Sequence, residues 1–120
     1  MDKVNLAEKL SLISDHWKPR VVGELNGQEL KLVKFRGTFV WHLHENEDEL
    51  FLCLSGRLRI EFRDHSVDLG SGELYIIPRG VEHRTSAEEE EAHVLIFEPI
   101  ATRNTGNVVH PELTAPGVPI

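Results

Sequence analysis

The chain has 120 residues, 40% hydrophobic and 28% charged, with a formal net charge of −7. That is one domain's worth of chain, able to bury a core without staples. Its acidic balance argues against nucleic acid and anionic membrane surfaces as partners, no apolar run has the length of a membrane span, and the single cysteine, Cys53, rules out an internal disulfide.

The N-terminus shows no basic stretch followed by an apolar run, so a cytoplasmic protein is expected. Asn5 is a favourable N-cap with Glu8 three residues on, and Leu6, Leu10 and Ile13 recur at helical intervals. This predicts a short helix from Asn5 to Ile13, lying against the outside of the domain. From Arg20 the pattern becomes β. Val21 to Leu25 and Glu29 to Phe35 flank Asn26-Gly27, a strong hairpin signal because both turn residues tolerate positive φ. Leu50 to Leu54 and Arg57 to Arg63, joined by Ser55-Gly56, read as a second hairpin. In its second strand Leu58, Ile60 and Phe62 alternate with Arg57, Arg59, Glu61 and Arg63, which predicts one wet face. Glu73 to Ile77 and Ala92 to Glu98 are two further strands. Gly70-Ser71-Gly72 marks a tight connection, and Ile77-Pro78-Arg79-Gly80 a type I turn. The run Glu88 to Glu91 is expected to be a solvated loop. After Pro99 the pattern fades, and Pro111, Pro116 and Pro119 punctuate an irregular tail. The expected organisation is a helix and lead-in over 1–19, a β-barrel over 20–100 and a tail over 101–120.

The residues that carry chemistry lie between Gly37 and His83. His42 and His44 are two apart on a predicted strand, so their imidazoles share a face. Glu49 follows five residues after His44, where the next strand begins, and a loop of that length folds its carboxylate back beside the histidines. His83 arrives from far along the chain, just after the Pro78–Gly80 turn. Imidazoles with one carboxylate suit a divalent transition ion: Fe, Mn, Ni, Zn or Cu.

In these segments the sequence resembles the cupin superfamily. The first cupin motif reads here as Gly37, His42, His44, Glu49 and Gly56, and the second as Gly72, Pro78, Gly80 and His83. The match spans Gly37 to about Ala87. It departs from the usual motifs in two places. Four residues, where five are usual, separate Gly37 from His42, and Ala87 stands where the second motif closes with asparagine. Neither position is a ligand. The resemblance implies an all-β fold, the cupin double-stranded β-helix or jelly-roll barrel. It further implies one divalent metal ion at the barrel's centre held by His42, His44, Glu49 and His83, and an open mouth for a small-molecule ligand.

Arg79, Tyr75, Phe51 and Cys53 are candidates for contacting that ligand. Three of them have a plainer reading: an exposed turn residue for Arg79, a partly buried strand residue for Tyr75 and a small buried hydrophobe for Cys53. Arg57, Arg59 and Arg63 read as a solvated strand face, and Glu45, Glu47 and Asp48 as loop solvation. Phe39, Trp41 and Leu43 alternate with the ligand histidines and are expected to face away from the metal. Their cover would be the N-terminal helix or a second subunit, and with the family's habit of pairing through such strands a homodimer is expected. The functions left open are dioxygenase-type chemistry on a small polar molecule, metal-dependent isomerisation of a sugar or sugar phosphate, and non-enzymatic ligand binding. An isomerase needs a separate base, and neither motif offers a second carboxylate or a free histidine, which tilts the reading towards metal-and-oxygen chemistry or simple ligand binding.

Overall fold

In the computed structural model, which describes residues 2–120, Asn26 and Gly27 take φ of +50° and +76°. Two successive positive φ values make the type I′ turn whose twist suits a two-residue hairpin. They join β1 (Arg20–Leu25) to β2 (Gln28–Thr38), with Leu25 opposite Gln28. The expected helix forms as α1 (Leu6–Ser11), and the Asn5 side chain accepts from the Glu8 amide as its N-cap. It lies outside the barrel, where Leu6 and Leu10 cover Ile13, Val22 and Leu32.

The second hairpin does not form. β3 (Glu49–Ser55) pairs with β6 (Leu74–Ile77) and β7 (Arg84–Pro99), whereas β4 (Leu58–Glu61) pairs with β5 (Ser66–Leu69) and β7. Ser55-Gly56 is a corner where the chain leaves one layer for the other. Gly56 sits at φ +80°, and a Cβ there would lie 2.5 Å from the Glu91 carbonyl oxygen, so only glycine passes. Close backbone approach, not hairpin geometry, explains this glycine. β5 was not anticipated, since Ser66–Leu69 is short and half polar.

β7 is the spine of the barrel. Residues 84–87 pair with β4 and the end of β2, and residues 92–99 pair with β2 and β3. Between these stretches the β2 register jumps from Phe35 opposite Ala92 to Gly37 opposite Ala87. The glutamate run fills that bend. It is solvated as expected, but it belongs to a strand rather than a loop. The Pro78 turn also differs. Val81 N bonds the Pro78 carbonyl, and Gly80 has φ +80°, the positive φ of a type II turn.

Inward side chains from all the long strands form the core: Val33, Phe35, Phe51, Cys53, Ile60 and Val94 among them. Ala87 is buried there as well, 2% exposed. Beyond Pro99 the chain is mostly turns, but it is not loose. Thr105 is fully buried, and β8 (Val118–Pro119) adds to β1 in parallel. Among the described residues no helix is long and apolar enough to cross a membrane.

Candidate metal centre

β2 ends at Thr38, so residues 39–46 are not held in a regular strand. One antiparallel bridge anchors them: His42 N to the His83 carbonyl and His83 N to the His42 carbonyl, both 2.9 Å. The tail secures the next step. Asn107 brackets Leu43, accepting from its amide at 2.9 Å and donating its own amide to the Leu43 carbonyl at 3.0 Å. Gly106 passes so close that a Cβ would collide with that carbonyl and come within 3.0 Å of His42 Cδ2. The Gly80 amide meets the His44 carbonyl at 2.8 Å. Both histidines are thus aimed by partners from distant parts of the chain, not by strand alternation.

His42, His44, Glu49 and His83 converge. All four are buried, and one ligand atom from each lies within 4.8 Å of the others. His42 Nδ1 donates to the Val40 carbonyl and His83 Nδ1 to the Val81 carbonyl, each at 2.9 Å. A proton held on Nδ1 leaves Nε2 as a lone pair facing the centre, the arrangement that orients metal-binding imidazoles. His44 Nε2, His83 Nε2 and Glu49 Oε1 are buried without a hydrogen-bond partner, His44 Nε2 and His83 Nε2 standing 3.3 and 3.6 Å from Glu49 Oε1. Unpartnered buried polar atoms are costly, and a cation at their meeting point satisfies all three. The residues fit a divalent metal.

The charges agree with that. Burial, then the neighbouring His83, lowers the pKa of His42 to about 4, so its imidazole is neutral and available. Burial pulls His44 down as well, but the Glu49 carboxylate beside it outweighs burial and the net shift is upward. Burial disfavours an ionised Glu49, yet the Glu98 carboxyl and the His44 and His83 imidazoles beside it hold it well below the usual carboxylate range. Glu98 moves the other way. Burial first and the Glu49 charge second push it well above that range, so the proton of this carboxyl pair sits on Glu98. Lys31 Nζ donates to Glu98 Oε1 at 2.9 Å and is itself buried.

A cavity opens beside His42 and Glu49. Of the four ligand-contact candidates, Phe51 lines it. Cys53 lies in the core, donating weakly to the Ser55 and Gly56 carbonyls, with its thiol pushed up by burial. Tyr75 packs on Phe62, ring centroids 5.8 Å apart. Arg79 is an exposed turn residue that, through its amide and guanidinium, holds Asp48. None of these three lines the cavity.

Phe39 is corrected: it lines the cavity, its ring 5.5 Å from that of His42. Irregular backbone after Thr38 breaks the alternation that would have turned it outward. Trp41 does face outward, under the Arg63 and Arg84 guanidiniums at 3.8 and 4.9 Å. Arg59 pairs with Asp68 and Arg63 with Glu82 on the solvated face.

Sequence reasoning missed Glu98, Lys31 and Trp17. Strand parity could have found the first two, since Glu98 follows Val94 and Ile96 inward and Lys31 precedes Val33 and Phe35. No pattern marks Trp17. It reaches the cavity from the lead-in at φ +68°, fixed by its amide on the Lys34 carbonyl and its indole N–H on the Arg36 carbonyl.

The barrel and its buried His₃Glu cluster define a cupin-type site whose residues could hold a metal ion. The comparisons agree. Residues 31–98 match the family model "Cupin_2: Cupin domain", more than half of the chain, and the protein belongs to that family. It is similar to the uncharacterized protein YdbB of Bacillus subtilis (strain 168), 33% identical over 87 residues covering 64% of this chain and 77% of that protein. Among solved structures it resembles a cupin-2 domain containing protein of Shewanella frigidimarina, with 48% identity, TM-score 0.78, and 80% and 93% of the two chains covered. It also resembles NMB1881 of Neisseria meningitidis, with 27% identity, TM-score 0.75, and 82% and 99% covered.

Proposed function

We propose that this cupin is a metal-dependent enzyme that holds one divalent transition ion through His42, His44, Glu49 and His83 and acts on a small molecule in the adjoining cavity. The observation that carries this is the set of three buried, unpartnered ligand atoms facing one point, with a fourth imidazole beside them. A bound ion supplies Lewis acidity and, where redox-active, one-electron chemistry. The chain's own part is to keep the Nε2 lone pairs of His42 and His83 inward through their Nδ1 hydrogen bonds, to keep Glu49 ionised, and to exclude water with the aromatic wall. Dioxygenase-type chemistry is the favoured reaction class.

Isomerisation is the second reading. It gains Glu98, a cavity-lining carboxyl that neither motif offered and that could hold or release a proton. Metal content of untagged protein, in wild type and His44→Ala, tests the centre. About one equivalent of a single metal, lost in the variant, supports it. No metal in the wild type, and none taken up on reconstitution, refutes it. O2 consumption or isomer formation then separates the two enzymes. A protein that shows only ligand-dependent stabilisation is a binder.

A cytoplasmic homodimer belongs to the same reading. Support for the dimer comes from a face other than the Phe39–Leu43 stretch. Leu52 pairs with Leu74 and Leu95, and Leu50 with Ile76 and Phe97, giving two apolar rows across the outer face of β6, β3 and β7. At the edge, Leu74 and Ile76 are 53% and 55% exposed.

A further inference from the structure

The cavity beside the metal centre is walled mostly by apolar side chains. Trp17, Phe35, Phe39 and Phe51 supply four aromatic rings, and Val33 and Ile96 add aliphatic surface. The Trp17 ring stacks on Phe35 at 4.5 Å and on Phe39 at 4.8 Å, so the wall is built before any ligand arrives. Its backbone is pinned on three sides, the third being the Asn104 amide on the Trp17 carbonyl at 3.3 Å. Asn104 is otherwise engaged with Leu113 and Ala115, leaving little of its amide to offer a ligand.

Among the described residues no lysine or arginine lines this cavity. The nearest cation placed to matter, Lys31, is tied to Glu98 at 2.9 Å and stands 3.9 Å from Glu29. The carboxyls of Glu49 and Glu98 line it instead. With no ion at the centre, a phosphate or carboxylate entering would lose its hydration and find no partner charge. A polyhydroxylated sugar would leave its hydroxyls against rings. An apolar body has only gains to make.

We infer that the cavity takes a compact, uncharged molecule with an apolar body, its polar end towards His42, Glu49 and Glu98, and that its walls, apart from the metal, offer no partner to an anion such as a sugar phosphate. The inference rests on the reading of the cavity as the small-molecule site of this centre and names its substrate class.

Phenol and phenyl phosphate share a ring and differ in charge, so they are the probes. Their binding is read from the indole N–H resonances of Trp17 and Trp41 in ¹⁵N-labelled protein, assigned with Trp41→Phe, in chelator-treated and zinc-treated samples. Calorimetry on wild type runs in parallel. Phenol is expected to shift the Trp17 resonance saturably and leave Trp41 in place, with phenyl phosphate at least tenfold weaker in the chelator-treated sample. Phenyl phosphate binding as tightly as phenol in that sample would overturn the inference, as would phenol failing to move Trp17 in both samples. If zinc is not taken up but phenol still shifts Trp17, the metal reading fails and this one stands. If zinc binds and phenol is silent, the reverse holds.

Discussion

His42 makes the metal-free protein sensitive to acid by an amount that follows from its burial. It is 3% exposed, and its folded pKa is about 4 against 6.5 for the free side chain. The unfolded chain therefore takes up a proton between about pH 6.5 and pH 4 that the folded chain refuses. A depressed folded pKa means that stability is intact above the unfolded pKa and is lost as pH falls through this window. The full difference of 2.5 pKa units corresponds to about 3 kcal/mol, of which about 2 kcal/mol is gone by pH 5. Other groups titrate too, so the measurement is a difference of differences: urea unfolding of chelator-treated wild type and His42→Gln at pH 7 and pH 5. Wild type should lose about 2 kcal/mol more than the variant. A gap that changes by less than about 0.5 kcal/mol between the two pH values refutes the placement of His42 as a buried, neutral imidazole.

His44 should show the opposite sign in the same experiment. Its folded pKa is raised, so its contribution is present below the unfolded pKa and fades as pH rises through the folded one, and the advantage of wild type over His44→Gln shrinks towards alkaline pH. Glu98→Ala removes the carboxyl that helps to keep Glu49 ionised and should weaken zinc binding about 10–100-fold in a competition titration, with Glu98→Gln closer to wild type. Gly106→Ala forces the tail off Leu43 and should weaken zinc binding while the near-ultraviolet spectrum of the core persists. Unchanged affinity would show that the tail does not aim the histidines. Ile76→Glu places a charge in the outer apolar rows and should convert a dimer to a monomer by light scattering. A wild type already monomeric at high concentration removes the dimer from the reading.

The sequence by itself determined what depends on chemistry near in the chain. Asn-Gly placed the first hairpin because positive φ is a property of those residues. The Asn5 cap placed the helix, and the spacing of the two motifs named the four residues that the structure brings to one point. Core burial is the plainer reading of Cys53, and strand parity carried through β2 and β7 would have put Lys31 and Glu98 inside too. Tertiary structure decided whatever depends on a partner far along the chain. Ser55-Gly56 looks like a hairpin turn, but the strands it joins each find better partners in β6, β5 and β7. Gly56 is a glycine because the Glu91 carbonyl comes against it. Phe39 turns inward because β2 ends before it. Trp17 walls the cavity because carbonyls of β2 capture its amide and indole N–H. The elevated pKa of Glu98 exists because β7 and β3 bring two carboxyls into one dry space, and a carboxyl's charge state is set by its neighbours in space, not in sequence.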